Sequence, residues 1–296
     1  MGRILEAKPV IQTIKEDLKQ EINGFVESGI KPSLAIIRVG NRPDDVYYEN
    51  SIVKNCESMG IWPQRFILEQ NISMDDFIEV LNIVNAEPRI HGIMIFRPLP
   101  RQLDEEILQH IIDPAKDIDC MNPLNQAKVF AGDMSGLLPC TPAAVMETLK
   151  YYQIGLKGTH VVVVGRSMVV GKPLSMMLLK EDSTVTICHS KTQNLPEVCR
   201  NANILVAAIG KAKFIDDKYI SDKSIVIDVG INDTGDGKIC GDVDFQAVVN
   251  KVQAITPVPG GIGSITTTLL LKNVVQAIHL QKSRHYRNDF NHKDLH

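Results

Sequence analysis

Residues 159–173 read THVVVVGRSMVVGKP, and this stretch decides the fold class that we expect. The four valines at 161–164 form an apolar run without alternation, which is typical of a strand buried on both faces of a parallel sheet. Gly165 and Gly171 bracket a turn, and Pro173 stands where the first turn of a helix accepts a proline. A strand, a glycine turn and a helix in this order can bind a phosphate group at the helix N-terminus. The glycine spacing, G-x5-G, matches the G-x-G-x-x-G dinucleotide motif only loosely.

A second stretch, ITPVPGGIG at residues 255–263, contains two prolines and three glycines. Proline fixes φ and lacks an N–H, while glycine lets another molecule approach the backbone closely. Such a loop suits a flat ligand that lies against the main chain. An ordinary tight connection before a helix is the alternative that this stretch, taken alone, leaves open.

The rest of the chain alternates between strand and helix patterns. Apolar runs predict strands at 32–39, 65–68, 90–95, 160–164, 184–187, 204–207 and 225–229. Helical patterns appear at 4–26, 48–59, 74–85, 102–112, 143–151 and 267–280, with an irregular stretch after residue 112. This alternation predicts an α/β fold of two domains, each with a mainly parallel sheet flanked by helices. The second domain is expected to be a Rossmann-type dinucleotide-binding domain.

Composition excludes several classes of protein. The chain has 296 residues, of which 44% are hydrophobic and 23% charged, and its net charge is -3. This balance predicts neither a nucleic acid nor an anionic membrane as partner, and no apolar run reaches the ~20 residues that span a bilayer. The N-terminal segment lacks the apolar core of a signal peptide, so we expect a cytoplasmic protein. Six scattered cysteines without a C-x-x-C pair indicate reduced thiols and no metal site.

Several motifs in the same order resemble the methylenetetrahydrofolate dehydrogenase/cyclohydrolase family of one-carbon metabolism. In the second half these are GRSMVVGKP (165–173), CHSKT (188–192), IDVGIN (227–232), GDVDF (241–245) and the ITPVPGGIG loop. In the first half they are VGNRPDDVYYENSIVKNCESMGI (39–61), KDID (116–119) and PCTP (139–142). The resemblance covers nearly the whole chain. It implies a homodimeric enzyme that acts on tetrahydrofolate derivatives with NADP and contributes to purine biosynthesis.

The resemblance also implies how the domains are arranged along the chain. Residues 1–142 together with 270–296 would form a folate-binding catalytic domain, because the closing helix of the family returns to the first domain. Residues 143–269 would form the NADP-binding domain.

The end of the second strand in the dinucleotide domain predicts NADP rather than NAD. NAD-specific sites usually carry an acidic residue there, which binds the ribose 2′-OH. Here the strand ends in His189 and Ser190 without a carboxylate, and Arg166 supplies a guanidinium suited to a phosphate. The family places its 2′-phosphate contacts at Arg166 and Ser190, although a surface arginine and a capping serine remain the alternative. The other cofactor positions that the resemblance implies are Gly165, Ser167, Gly171, Ile231 and Thr266.

The folate site departs from the family pattern at two positions. The family uses a Tyr-x-x-x-Lys pair on one helix, a glutamine in a V-Q-L-P-L-P strand end and an aspartate in K-D-V-D-G. Tyr48 and Asp119 match this pattern, whereas Ile52 stands at the lysine position and Phe96 at the glutamine position. Lys54 lies roughly 200° further round the helix and cannot simply substitute. The implied catalytic residues are Tyr48 and Asp119, and the implied substrate-binding residues are Tyr48, Ile52, Phe96, Asp119, Pro259, Gly260, Gly261, Ile262 and Gly263.

These departures predict which half of the family's chemistry is retained. Oxidation of 5,10-methylenetetrahydrofolate to the methenyl form moves a hydride and no proton, so correct positioning supplies most of what it needs. Hydrolysis of the methenyl cation needs a group that transfers protons, and neither Ile52 nor Phe96 is one. We therefore expect an NADP-dependent dehydrogenase with weak or absent cyclohydrolase activity. A bifunctional enzyme in which Lys54 or another group transfers the protons, and a non-catalytic dinucleotide-binding protein, are the alternatives.

Overall fold

The computed structural model describes residues 2–235 and 237–293, with side chains described as far as Arg284. The chain divides into two compact units. Unit 1 comprises Met1–Thr13, Val129–Gly132 and Pro139–Thr266, and unit 2 comprises Ile14–Lys128, Asp133–Leu138 and Thr267–His296.

Seven strands that the apolar runs predicted are confirmed to within a few residues. In chain order the strands are β1 (Arg3–Ile4), β2 (Ser33–Val39), β3 (Trp62–Leu68), β4 (Gly92–Ile95), β5 (His160–Val164), β6 (Thr184–Cys188), β7 (Ile204–Ala207), β8 (Ile225–Asp228), β9 (Asn232–Asp233), β10 (Ile239–Cys240) and β11 (Ala254–Ile255). The unpredicted ones, β1, β9, β10 and β11, are two residues long, which is too short to show a hydrophobic period.

The helices also follow the predicted pattern, with three differences and with two short helices, at 195–200 and 245–248, that no helical pattern predicted. They are α1 (Ala7–Glu27), α2 (Pro43–Met59), α3 (Met74–Ala86), α4 (Glu105–Ile111), α5 (Pro123–Phe130), α6 (Cys140–Tyr151), α7 (Gly171–Lys180), α8 (Leu195–Arg200), α9 (Phe245–Val248) and α10 (Ile262–Lys293). Helix α2 begins five residues earlier than predicted, because Pro43 is well suited to a first helical position. Helix α5 lies in the stretch predicted to be irregular, and α10 begins inside the glycine loop rather than after it.

Unit 1 is built on a six-stranded sheet in the order β1-β11-β8-β7-β5-β6, in which every neighbouring pair is parallel. Val162 of β5, Leu205 of β7 and Val226 of β8 are fully buried, and so is Ile255 of β11. The valine run therefore forms an interior strand that is buried on both faces, as its lack of alternation predicted.

Unit 2 contains a three-stranded parallel sheet in the order β3-β2-β4. All seven residues of the central strand β2 are buried. Ile37 of β2 and Ile93 of β4 pack in one apolar cluster with Phe77 and Leu81 of α3. The fold class, two α/β domains with parallel sheets flanked by helices, is confirmed.

The predicted domain boundaries, 1–142 with 270–296 and 143–269, differ from the observed division at both ends. Strand β1 pairs with β11, with Arg3 opposite Ala254 and Ile4 opposite Ile255, so the N-terminus belongs to the six-stranded sheet of unit 1. The long segment of unit 1 begins at Pro139 rather than at residue 143, and unit 2 resumes at Thr267 rather than at residue 270. Pairing between segments about 250 residues apart leaves no local pattern from which such a boundary could be predicted.

Among the described helices, none is long and apolar enough to cross a membrane.

Candidate functional site

The glycine turn after β5 requires glycine at both predicted positions. Gly165 has φ of 138°, and a Cβ atom there would lie 2.2 Å from the carbonyl oxygen of Ala208. A Cβ atom at Gly171 would lie 2.1 Å from the carbonyl oxygen of Gly165. The N–H of Gly165 donates to the carbonyl of Cys188 at 2.9 Å, which ties the turn to the end of β6. The backbone segments are therefore too close together for side chains at these positions.

The turn also presents main-chain N–H groups at the start of α7. Val170, the residue before α7, has no side-chain cap, and its own N–H donates to Oγ of Ser167 at 3.1 Å. Within the described residues, no acceptor receives a hydrogen bond from the N–H groups of Arg166, Ser167 or Gly171. Free N–H donors at a helix N-terminus are what a pyrophosphate group binds. This part of the site therefore fits a dinucleotide.

The edge of the sheet next to this turn carries cations and hydroxyls. Val164 at the end of β5 is the register partner of Cys188 at the end of β6. Arg166 lies two residues after Val164, and Ser190 lies two residues after Cys188. Both side chains are exposed, as is that of Lys191. A tight turn holds this segment, since the N–H of His189 donates to Oγ1 of Thr192 at 2.9 Å. The register thus places Arg166 and Ser190, the two residues predicted to bind the 2′-phosphate, at the same edge of the sheet.

Ile231, Gly263 and Thr266 are brought together in unit 1. A Cβ atom on Gly263 would lie 2.6 Å from Cδ1 of Ile231, so the isoleucine side chain rests on the glycine. Ile231 is nonetheless 59% exposed, which leaves most of its surface open to a ligand. The hydroxyl of Thr266 donates to the carbonyl of Gly263 at 3.0 Å within α10.

The glycine loop before α10 contains both exposed and buried residues. Pro259 and Gly260 are exposed, whereas Gly261 and Ile262 are buried. Gly260 has φ of 93° and its carbonyl accepts a hydrogen bond from the N–H of Ala7 at 2.8 Å. A Cβ atom on Gly261 would lie 2.2 Å from the carbonyl oxygen of Pro257, so this glycine is required by packing. The side chain of Ile262 is therefore not available to a ligand, in contrast to the surface of Pro259 and Gly260.

Two buried aspartates that sequence reasoning did not assign organise the loops of unit 1. The carboxylate of Asp242 accepts hydrogen bonds from the N–H groups of Ile209, Gly210 and Lys211 at 2.6, 2.9 and 2.9 Å. Asp228 accepts hydrogen bonds from three N–H groups, those of Gly230, Asp242 and Val243. Burial raises the pKa of Asp228 to about 6, although these N–H groups lower it. The signal was present in the sequence, since IDVGIN and GDVDF place aspartates directly beside valine, isoleucine and phenylalanine.

In unit 2, helix α2 places Tyr48 and Ile52 one turn apart. Ile52 is fully buried, Tyr48 is 37% exposed, and Lys54 is exposed. The ring of Tyr48 lies against that of Phe96, with centroids 5.7 Å apart and planes inclined at 59°. Phe96 follows β4 and is buried. The structure thus brings together Tyr48 and Phe96, two of the residues assigned to the folate site.

A buried ion pair fixes the part of α2 that carries Tyr48. Glu49 is 2% exposed, and its Oε2 lies 2.5 Å from Nε of Arg38, which is also buried in β2. Oε1 of Glu49 lies 3.3 Å from Nε of Arg65 in β3. Arg38 and Arg65 therefore both bind the carboxylate of Glu49, the residue after Tyr48. These ion pairs restrain this part of the helix relative to the sheet.

The two aspartates of the KDID segment have different surroundings. Asp117 is fully buried and accepts hydrogen bonds from the N–H groups of Met121 and Asn122 and from the side chain of Asn125, at 2.8 to 3.0 Å. Burial raises the pKa of Asp117 to about 7. Asp119 accepts none of these bonds. The turn after KDID is therefore held by Asp117 and not by Asp119.

The partner of Asp119 is Arg97, which sequence reasoning missed. Nη2 of Arg97 donates to Oδ2 of Asp119 at 2.8 Å. Burial raises the pKa of Asp119, and the charge and hydrogen bond of Arg97 counteract this. The only signal in the sequence was a cation directly after Phe96, at the end of an apolar strand.

Two family descriptions match the chain. "Tetrahydrofolate dehydrogenase/cyclohydrolase, catalytic domain" matches residues 5–119, and the NAD(P)-binding domain of the same family matches residues 139–282. The chain belongs to the tetrahydrofolate dehydrogenase/cyclohydrolase family.

Curated and solved relatives of this chain agree with that assignment. "Bifunctional protein FolD 1" of Desulfitobacterium hafniense is 65% identical over 277 residues, which cover 94% of this chain and 99% of the relative. The crystal structure of the bifunctional enzyme FolD from Campylobacter jejuni has a TM-score of 0.92 at 37% identity and covers 95% of this chain and 100% of its own. The enzyme from Trypanosoma brucei, solved with NADP and an inhibitor, has a TM-score of 0.87 at 29% identity and covers 95% and 98%.

The family assignment groups the predicted site residues by unit. All the predicted cofactor positions lie in unit 1, within the NAD(P)-binding domain. Tyr48, Ile52, Phe96 and Asp119 lie in unit 2, whereas the loop at 259–263 lies in unit 1. In the part of the chain that the structure describes, no cluster of His, Cys, Asp or Glu side chains is arranged to hold a metal ion.

Proposed function

We propose that this protein oxidises 5,10-methylenetetrahydrofolate to 5,10-methenyltetrahydrofolate with NADP as the hydride acceptor. The observation that carries the proposal is that one chain matches both the catalytic and the NAD(P)-binding domain of the family. A cytoplasmic homodimer is part of the same proposal, and sedimentation velocity of the purified protein tests the dimer.

The residues of unit 1 fit NADP. The N–H groups of Arg166, Ser167 and Gly171 would bind the pyrophosphate, and the side chains of Arg166 and Ser190 would bind the 2′-phosphate. No carboxylate stands at residues 188–192, where an acidic residue would favour NAD. The structure of the Trypanosoma brucei relative with NADP supports the same choice. When bound, NADP supplies the nicotinamide C4 that accepts the hydride.

The residues of unit 2 would hold the folate. Asp119 would accept hydrogen bonds from the amino group and ring N–H of the pterin, because a carboxylate pairs well with adjacent donors. The rings of Tyr48 and Phe96 form an apolar wall suited to a flat ring. Hydride transfer from the bridging methylene leaves a cation that its two flanking nitrogens stabilise, and no proton moves. The contribution of these side chains is therefore orientation, which is worth up to ~7–11 kcal/mol.

Hydrolysis of the methenyl product is the second candidate activity, and the names of the relatives favour it. Both "Bifunctional protein FolD 1" and the Campylobacter jejuni enzyme are called bifunctional, which supports the bifunctional alternative more than the predicted weak hydrolysis. The opposing argument comes from Ile52 and Phe96, two buried apolar side chains that cannot transfer a proton. Weak or absent cyclohydrolase activity therefore stays a prediction that depends on these two residues.

Two absorbance measurements decide among the functions. Formation of NADPH with methylenetetrahydrofolate tests the dehydrogenase, and the absence of this activity and of hydrolysis at saturating substrate would leave only a non-catalytic nucleotide-binding protein. Decay of added methenyltetrahydrofolate without cofactor, compared with buffer alone, tests the cyclohydrolase. An enzyme-dependent decay would establish the bifunctional activity, and a decay equal to that in buffer would establish its loss.

A further inference from the structure

Arg97 and Asp119 meet because two backbone segments run side by side in unit 2. Ile93 of β4 forms a parallel bridge with Asp117, and its N–H donates to the carbonyl of Lys116 at 2.7 Å. Arg97 lies four residues beyond Ile93, and Asp119 lies two residues beyond Asp117. Since parallel segments leave a sheet at the same edge, the register brings the two side chains to one place.

The contact leaves half of the carboxylate available to a ligand. Oδ2 of Asp119 accepts the hydrogen bond from Nη2 of Arg97 at 2.8 Å. No hydrogen bond to Oδ1 of Asp119 is present among the described residues, and the Asp119 side chain is 29% exposed. Arg97 is similarly exposed, at 31%. An arginine that donates to one oxygen holds the carboxylate plane and leaves the other oxygen to accept from another donor.

We propose that Arg97 is a positioning residue of the folate site, which holds the Asp119 carboxylate ionised and in one orientation so that Oδ1 receives the pterin N–H donors. This inference rests on the proposed function. It concerns a departure from the family pattern, because V-Q-L-P-L-P has leucine where Arg97 stands. The arginine compensates for the partial burial of a carboxylate that must remain an acceptor.

The charges around Asp119 determine what removal of Arg97 does. Burial raises the pKa of Asp119, and Arg97 is the neighbour that lowers it. The other ionisable groups that interact with Asp119 are Asp117 and the thiol of Cys120. The negative charge of Asp119 raises the pKa of Asp117 and the pKa of Cys120. Loss of Arg97 therefore raises the pKa of Asp119 further, and the carboxylate becomes protonated at a higher pH.

Steady-state kinetics of three variants test the proposal. Arg97→Leu restores the family's residue, Arg97→Lys keeps the charge, and Arg101→Leu is the matched control, an exposed arginine in the same loop. Arg97→Leu is expected to raise the KM for methylenetetrahydrofolate about tenfold or more, the effect of losing a well-placed charged acceptor. It should also move the acid limb of kcat/KM for the folate to higher pH, with the KM for NADP unchanged. Arg97→Lys should recover part of the acid limb, and Arg101→Leu should match the wild type.

A wild-type acid limb and folate KM in Arg97→Leu would overturn the proposal, as would tighter folate binding, which would show that Arg97 competes with the substrate. A direct titration separates this failure from failure of the proposed function. The ¹³C resonance of the Asp119 carboxyl, assigned with Asp119→Asn, reports its ionisation in the free protein. An unchanged midpoint in Arg97→Leu overturns the inference whatever the kinetics, whereas a raised midpoint in a protein without turnover refutes the proposed function alone.

Discussion

The ring of Tyr48 packs against the ring of Phe96 at a centroid distance of 5.7 Å, and the two rings are tilted, as aromatic pairs prefer. Tyr48 matches the family's tyrosine, but Phe96 stands where the family has glutamine. An aromatic contact therefore occupies a position that carries a polar amide in the family pattern. Together with the buried Ile52, it makes the helix face around Tyr48 apolar.

We expect that Ile52→Lys combined with Phe96→Gln introduces or increases cyclohydrolase activity. A positioned proton-transfer group is typically worth ~10²–10⁴-fold in rate, and we expect the double variant to gain about tenfold or more. Ile52→Lys alone should gain less and should lower the melting temperature, because Ile52 is fully buried and an unpaired lysine there loses its charge. The measurement is the decay of methenyltetrahydrofolate, with thermal unfolding as a check on folding.

Lys54→Ala is the control for this prediction, because Lys54 is the lysine that α2 already contains and its side chain is exposed. Hydrolysis that is fast in the wild type and abolished in Lys54→Ala would show that Lys54 transfers the protons. The role inferred for Ile52 would then be wrong.

Arg166→Ala should weaken NADP binding and leave NAD binding nearly unchanged. A hydrogen bond to a charged group is worth about 1.5–3 kcal/mol, and only NADP carries the 2′-phosphate that Arg166 would contact. Calorimetric titration with both cofactors measures the difference, and Arg200→Ala, at another exposed arginine of unit 1, is the matched control. Equal loss of affinity for both cofactors would place Arg166 elsewhere on the dinucleotide.

Substitutions at the two aspartates of KDID should have different consequences. Asp119→Asn should raise the folate KM strongly without a large change in stability, because its side chain accepts a bond only from Arg97 among the described residues. Asp117→Ala should instead lower the melting temperature, since it leaves three buried donors unpaired, at a cost of about 1–3 kcal/mol each. Kinetics and thermal unfolding of both variants separate the roles. A stable Asp117→Ala protein with a raised folate KM would reverse the assignment.

The pKa of Asp228 predicts a pH dependence of stability. The pKa is about 6 in the folded protein and 3.8 without the fold, so the folded state holds this proton more tightly than the unfolded chain. The stabilisation is fully present below pH 3.8 and is lost as the pH rises to about 6. Asp228→Asn removes this titration, so its melting temperature should fall less than that of the wild type between pH 4 and pH 6.5, by the same linkage. Parallel curves for the two proteins would show that Asp228 titrates normally.

Most of the fold follows from local sequence features. The unbroken valine run identified β5 as a strand buried on both faces, and the crowding at Gly165 and Gly171 explains why glycine is needed in the turn. The lack of a carboxylate after Cys188 was visible in the sequence, as was the one-turn spacing of Tyr48 and Ile52. These features depend on side-chain period and on steric contact over a few residues, so a single segment contains the information.

Only the tertiary structure decided which segments meet. It paired β1 with β11, assigned the turn-forming role to Asp117 rather than Asp119, and placed Arg97 against Asp119 across 22 positions of sequence. It also buried Gly261 and Ile262 while leaving Pro259 and Gly260 exposed. Each of these outcomes depends on hydrogen bonds, ion pairs or close packing between segments that approach one another only after the sheets have formed. No periodicity within a single segment records such partners.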